Sequence, residues 1–310
     1  MQHALIQIAP VYPLTQAQLE RDYNVFRWFD APDRESVMRL AGGVRVAVTS
    51  GFFGMSAALM EKLPRLELIA CFGVGVDAID LDAARARGIA VTNTPDVLTD
   101  DVADLAIGLM LATLRRIPQG DRFTREGRWP QGNFGLFAKA SGKRLGIVGM
   151  GRIGQAIAHR AAAFNMSIAY QGPSRKDVPW RYEPDPVALA REVDVLVAAC
   201  PGGGATRHLI NRQVLEALGS KGTFINIARG SVVDEQAMVE LLQAGRLGAA
   251  GLDVFADEPR VPPALLALDN VVLSPHQASA THETRAAMGQ LVIDNVAAFF
   301  AGKPLVTPVS

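Results

Sequence analysis

Gly149-Met150-Gly151-Arg152-Ile153-Gly154 has the G-x-G-x-x-G spacing of a turn that cradles phosphate. The apolar run Leu145-Gly146-Ile147-Val148 precedes it and a helix-like stretch, 155–164, follows, so strand, turn and helix come in the order that binds a dinucleotide. Gly149 permits the tight turn, Gly151 lets the main chain approach a pyrophosphate, and Gly154 lets helix and strand pack closely. The helix start at Arg152 and Ile153 offers oriented N–H donors to the anion. An NAD site presents an acid about 20 residues further on, bonded to the ribose 2′-hydroxyl. Here the segment reads Tyr170-Gln171-Gly172-Pro173-Ser174-Arg175-Lys176, without an acid. Ser174, Arg175 and Lys176 suit the extra phosphate of NADP, so NADP(H) is the expected cofactor and NAD(H) a weaker second. The alternative is a solvated loop with two incidental cations.

These residues need elements to hold them. Over the first hundred residues, β-rich runs at 4–8, 44–49, 66–71 and 89–93 alternate with polar, helix-like segments, and a weaker strand lies near 24–28. Parallel strands need crossovers that cover both sheet faces, so this rhythm predicts a doubly wound α/β unit. It restarts at Lys143, with strands at 144–149, 167–171, 194–200, 223–227, 248–253 and 271–273. A connecting helix is expected over 99–116, with Asp100 and Asp101 in its first turn, Arg115 and Arg116 in its last, and Pro118 just beyond. A last helix over 282–301, ended by Gly302 and Pro304, is expected to pack back on the first unit. The expected division is therefore 1–98 plus 286–310, and 99–285.

Composition narrows the partners. The chain has 310 residues, 49% apolar and 20% charged, as in ordinary globular proteins. Lys plus Arg and Asp plus Glu each number 31, so no net field gathers nucleic acid or anionic lipid. Cys71 and Cys200 lack a C-x-x-C neighbour and are expected as buried reduced thiols, with no metal site. Neither a secretion signal nor a membrane span is expected, because the longest apolar stretch, 102–114, is interrupted by Asp104; the cytoplasm follows as the default address.

The second unit carries an ordered series of signatures: Ile225-Asn226-Ile227-Ala228-Arg229-Gly230, Val233-Asp234-Glu235, Gly251-Leu252-Asp253-Val254-Phe255, Asp257-Glu258-Pro259 and Ser274-Pro275-His276-Gln277-Ala278-Ser279. In these the chain resembles the D-isomer-specific 2-hydroxyacid dehydrogenase family over nearly its whole length. Within that family, the run 91–104, from Val91-Thr92-Asn93-Thr94-Pro95 to Val102-Ala103-Asp104, is similar to NADP-dependent glyoxylate/hydroxypyruvate reductases and hydroxyphenylpyruvate reductases. The resemblance implies two Rossmann-like domains with doubly wound parallel sheets and an active site in the cleft between them. It places the catalytic Arg, Glu and His on Arg229, Glu258 and His276.

Those roles make chemical sense for reducing a 2-keto acid, which needs a hydride at the keto carbon and a proton at the carbonyl oxygen. His276 is the expected acid, Glu258 orients it and favours its protonated form, and Arg229 grips the carboxylate with its planar fork. Phe72-Gly73-Val74-Gly75 resembles the family's substrate loop, where the amides of Val74 and Gly75 would face an anion; a plain strand-to-helix turn is the alternative. Ser50, Phe52 and Ser279 are expected to border the substrate, with Phe52 either sealing a small pocket or stacking on an aryl group. By the same resemblance Trp129 reaches a neighbouring subunit of a homodimer; a buried core Trp is the other reading. Val102, Cys200, Pro201, Thr206, Ile227, Ala228, Arg229, Asp253, His276 and Ala278 are expected to line the cofactor.

Two departures from the family pattern stand out. The turn after Cys200-Pro201 is glycine-rich, Gly202-Gly203-Gly204, which would loosen it, and Gly172-Pro173 leaves the cation to Arg175 or Lys176. The expected activity is NADPH-dependent reduction of glyoxylate or hydroxypyruvate to the D-2-hydroxy acid. The alternatives are an aryl pyruvate substrate and, from another class, a noncatalytic dinucleotide sensor like a corepressor.

Overall fold

The computed structural model describes residues 2–309. Short apolar runs such as 46–49, 68–72 and 195–198 become strands buried on both faces, and in each sheet every neighbouring pair is parallel. The chain divides into one unit running up to Leu98 and resuming at Ser279, and a second unit, Thr99–Ala278.

The first unit opens with β1 (Ala4–Gln7), α1 (Pro13–Asp22), β2 (Asn24–Arg27), α2 (Arg34–Leu40), β3 (Val46–Ser50), α3 (Ala57–Glu61), β4 (Leu68–Phe72), α4 (Leu81–Ala86) and β5 (Ala90–Thr92). Its sheet order is β2-β1-β3-β4-β5. Strand alternation sends Ile6, Ala47 and Ile69 into one core cluster with Met38 and Met60. The paired residues Leu5, Val46 and Leu68 are equally buried on the opposite face.

The second unit contains α5 (Thr99–Arg115), α6 (Ile117–Arg125), β6 (Arg144–Val148), α7 (Arg152–Ala162), β7 (Ser167–Gln171), β8 (Arg181–Tyr182), α8 (Pro186–Glu192), β9 (Val195–Ala198), α9 (Arg212–Leu218), β10 (Thr223–Asn226), α10 (Glu235–Gln243), β11 (Ala249–Leu252), α11 (Pro263–Leu266) and β12 (Val271–Leu273). Its sheet order is β12-β11-β10-β9-β6-β7-β8, so the sequence direction reverses between β6 and β9. Phe224, Leu196 and Leu215 anchor its core. The final helix, α12 (His282–Phe300), is capped by the Thr281 side chain on the Thr284 N–H and packs on α1 and β4 of the first unit.

Three features differ from the sequence reading. The long helix stops at Arg115 because Arg116 turns left-handed (φ +48°), and Pro118 starts α6 instead of ending a helix. The short β8 was not expected, since two residues carry no periodicity. The chain rejoins the first unit at Ser279, seven residues before the expected 286, so the whole of α12 belongs there. Its close approach to α1 requires Gly289, where any Cβ would strike the Thr15 side chain. No helix among the described residues is long and apolar enough to cross a membrane.

Candidate active site

Because the second sheet is parallel, its strands deliver their carboxyl ends to one edge, where ligands of open α/β sheets bind. The glycine turn lies at the switch point between β6 and β9. Gly149 has φ +101°, and a Cβ there would lie 2.6 Å from the amide nitrogen of Cys200. Gly154 has no room either, since a Cβ would collide with the Gly149 carbonyl, whereas Gly151 faces open space. That cradle fits a dinucleotide's pyrophosphate, with Arg152 and Ile153 opening α7 beside it.

At the end of β7 two tyrosines fix the next loop. The buried Tyr170 hydroxyl accepts the Lys176 N–H at 2.7 Å, and the Tyr182 hydroxyl donates to the Gly172 carbonyl at 3.0 Å. Ser174, Arg175 and Lys176 are thereby held exposed on a pinned turn. After β9, Cys200 is buried and its thiol is pushed up to about 11, so it stays protonated at neutral pH. Cys71 is also buried and forms no disulfide. The glycine-rich turn beyond exposed Pro201 is tied by the Thr206 hydroxyl, which donates to the Pro201 carbonyl at 2.7 Å. That bond offsets the looseness expected there.

β10 ends in Asn226, whose fully buried amide shapes the following turn. Its Oδ1 accepts the Ala228 N–H at 3.0 Å and its Nδ2 donates to the Arg229 carbonyl at 3.1 Å. Ile227 and Ala228 are buried, and Arg229 emerges half-buried, its Nη1 donating to the Ala228 carbonyl at 2.8 Å. Gly230 follows because a Cβ would strike the main chain at Phe255 and Ala256.

β11 leads to Asp253, which is buried and ties two loops together. Its carboxylate accepts the Ser274 hydroxyl at 2.6 Å and the N–H groups of Gln277 and Ala278 at 2.8 and 3.0 Å, while its carbonyl accepts the His276 N–H at 2.8 Å. These bonds hold His276 at φ +53°, a conformation that histidine tolerates better than most residues. Glu258 Oε1 accepts the Phe255 N–H at 2.9 Å, and its Oε2 lies 2.6 Å from His276 Nδ1. The Glu258 side chain is 13% exposed and that of His276 40%. An Nδ1–H···Oε2 bond leaves the second ring nitrogen, Nε2, as the one able to take up or release a proton.

Burial alone would raise the Glu258 carboxyl; the His276 hydrogen bond, the Phe255 N–H and the charges of His276 and Arg229 outweigh it and hold the group below its ordinary range. Glu258 is therefore ionised at neutral pH, and the pair's contribution is lost only as pH falls through that depressed value. Glu258→Gln is expected to slow keto acid reduction at pH 7 by about 10- to 100-fold, within the span of positioned acid–base groups. The defect shrinks as pH falls through the depressed Glu258 value, because the parent then loses the carboxylate that the variant lacks; a pH-independent loss would reduce Glu258 to a packing role. The measurement is kcat against pH for both proteins.

In the first unit, Gly73 N–H donates to Thr94 Oγ1 at 3.1 Å and Asn93 Nδ2 donates to the Val74 carbonyl at 2.9 Å, fixing the loop after β4. Among the described residues, the N–H groups of Val74 and Gly75 have no protein acceptor within hydrogen-bond range. Ser50 Oγ accepts the Phe53 N–H, and Phe52 is exposed, edge-on to Phe53. Ser279 opens the returning segment, half-buried. Trp129 is 66% exposed in a short turn, which removes the core reading. Val102 and Ala278 are buried.

Sequence reasoning gave no structural part to Asn226, Ser274 or Phe255. The only available signal was a polar residue at the end of an apolar strand, as in Ile225-Asn226 and Leu273-Ser274.

Residues 107–278 match the family model described as D-isomer specific 2-hydroxyacid dehydrogenase, NAD binding domain. Glyoxylate/hydroxypyruvate reductase A of Arabidopsis thaliana is 49% identical over 307 residues, 98% of each chain. Hydroxyphenylpyruvate reductase of Plectranthus scutellarioides is 48% identical over 307 residues, again 98% of each. The structure of an NADPH-dependent glyoxylate/hydroxypyruvate reductase from Sinorhizobium meliloti, in complex with NADP and malonate, superposes with a TM-score of 0.94 at 44% identity, covering 100% of this chain and 97% of that one.

Proposed function

The chain belongs to the D-isomer-specific 2-hydroxyacid dehydrogenase family, and from that membership we propose that it is an NADPH-dependent reductase of small 2-keto acids, glyoxylate and hydroxypyruvate first, yielding the D-2-hydroxy acid where a stereocentre forms. The observation that carries this reading is the 2.6 Å contact between His276 Nδ1 and an ionised Glu258. When bound, the reduced nicotinamide supplies the hydride. His276 Nε2 delivers the proton to the carbonyl oxygen as charge develops there, with Glu258 holding the ring in place. Arg229 binds the carboxylate and polarises the carbonyl. The test is NADPH oxidation on adding glyoxylate, hydroxypyruvate or phenylpyruvate; binding of NADPH without turnover of any keto acid would leave a sensor. A hydroxyphenylpyruvate-type substrate is the second reading, favoured by the exposed Phe52–Phe53 pair and by the Plectranthus relative.

NADPH preference rests on Arg175 and Lys176 at the pinned turn. Arg175→Ala is expected to raise KM for NADPH about tenfold and leave NADH nearly unchanged, the value of one charge-assisted contact. Equal effects on both would return the side chain to the solvent.

The assembly we propose is a homodimer formed through the apolar residues that follow α5. Ile117, Trp129, Phe134 and Phe137 are exposed there, and Leu136 is fully so, an apolar grouping of the kind that marks association sites. Leu136→Glu is expected to shift the mass by light scattering from dimer to monomer, whereas an unaltered dimer would place the interface elsewhere. Two buried cysteines that form no disulfide support the proposed cytoplasmic location.

A further inference from the structure

Arg285 lies in the first turn of α12, with its guanidinium over the ring of Phe72, 5.5 Å from the centroid. Other arginines of the protein answer carboxylates: Arg45 meets Glu67, Arg144 meets Asp194, and Arg160 meets Asp100 and Asp104. Among the described residues, Arg285 has neither a carboxylate nor a hydrogen-bond acceptor. Its position is poor for a cation in two further respects. The group is partly withdrawn from water, and burial with no compensating charge pushes it below its ordinary value. The N-terminal turn of a helix also carries positive potential, which favours anions and not a guanidinium. An arriving anion would relieve both costs.

Phe72 is the last residue of β4 and leads straight into Gly73-Val74-Gly75. In that loop Thr94 occupies the Gly73 N–H and Asn93 occupies the Val74 carbonyl, while the N–H groups of Val74 and Gly75 remain without an acceptor. An uncompensated cation therefore stacks on the residue that opens a turn of uncompensated donors.

We propose that Arg285 is a substrate-binding residue that provides, with the amides of Val74 and Gly75, an anchor for the carboxylate of the 2-keto acid. The proposal rests on the reductase reading above and adds to it a residue that determines preference for acids. The guanidinium stays over Phe72 and offers its planar fork of N–H donors to the carboxylate, an arrangement an ammonium cannot copy.

The test uses the full-length protein with NADPH bound and oxalate as an unreactive carboxylate probe, followed by nicotinamide fluorescence. Arg285→Gln is expected to weaken oxalate about 30-fold and to raise KM for glyoxylate similarly, with NADPH affinity unchanged; Arg285→Lys recovers part of the loss. The expected size is that of a charge-assisted contact. Unaltered oxalate affinity in a folded Gln variant overturns the proposal, as does equal weakening of oxalate and NADPH, or failure of both variants to fold, which would make Arg285 structural. If the unmutated protein reduces no keto acid yet binds oxalate in an Arg285-dependent way, the reductase reading fails and the anion site stands. If it reduces keto acids and the Gln variant does so equally well, the reverse holds.

Discussion

His276→Ala is expected to lower keto acid reduction about a thousandfold while the dissociation constant for NADPH stays within about threefold, because a positioned general acid contributes roughly 10²–10⁴ in rate. Cofactor affinity is spared because the glycine turn and the Ser174–Lys176 loop hang from β6 and β7, held by the Gly149 N–H bond to the Gln171 carbonyl and by the two tyrosines and not by His276. Alanine brings a second effect, since the backbone at His276 is left-handed and a residue with a plain Cβ pays about 1–2 kcal/mol there. His276→Asn separates the two, because asparagine accepts that conformation and cannot deliver the proton. The Asn variant relieves the backbone cost but leaves Glu258 without its ring partner, so it is expected to melt between the Ala variant and the parent and to be as slow as the Ala variant. Single-turnover rates and thermal unfolding decide it: an Asn variant with parental turnover would remove His276 as the acid.

Arg229→Ala is expected to reduce kcat/KM for glyoxylate by about a thousandfold, the value of losing two charge-assisted bonds at roughly 1.5–3 kcal/mol each. Arg229→Lys keeps the charge and loses the fork, so it recovers only part. A diagnostic accompanies the rate: the Arg229 charge helps hold the Glu258 carboxyl low, so its removal lets that carboxyl rise toward its ordinary range. The acid limb of the residual activity must then move to higher pH. A loss with no such movement would place Arg229 away from Glu258 in the working enzyme.

Much of the architecture was legible because a parallel sheet writes itself plainly. Runs such as Leu145–Val148 and Val195–Ala198 are buried on both faces, so each reads as a continuous apolar stretch between polar helices. The glycine turn was legible for the same local reason, since strand, turn and helix follow each other in the chain. Arg116 was not: its left-handed turn makes Pro118 a beginning, and Arg-Ile-Pro does not announce which. Nor was the span that Asp253 bridges, from β11 to a loop more than twenty residues on; an aspartate after a strand looks like a turn until Ser274, Gln277 and Ala278 are seen to close on it. Arg229, Glu258 and His276 sit on three separate loops, so their identity came from the ordered signatures and the His276–Glu258 contact from the fold.

The first unit is closed by residues that follow the whole of the second unit in the chain. Asn295 of α12 bonds the Val306 and Thr307 N–H groups, Thr307 reaches the Asn93 carbonyl, and the Val309 N–H pairs with the Val91 carbonyl beside β5. Order of synthesis therefore runs against order of completion: the cofactor unit has all its strands before α12 leaves the ribosome. The strands of the first unit, which precede the second unit in the chain, wait with Leu68 and Ala70 lacking the helix that covers β4. A transcript truncated after Ala278 yields an intact second sheet tethered to an unfinished first one, the kind of half-made product that quality-control proteases remove.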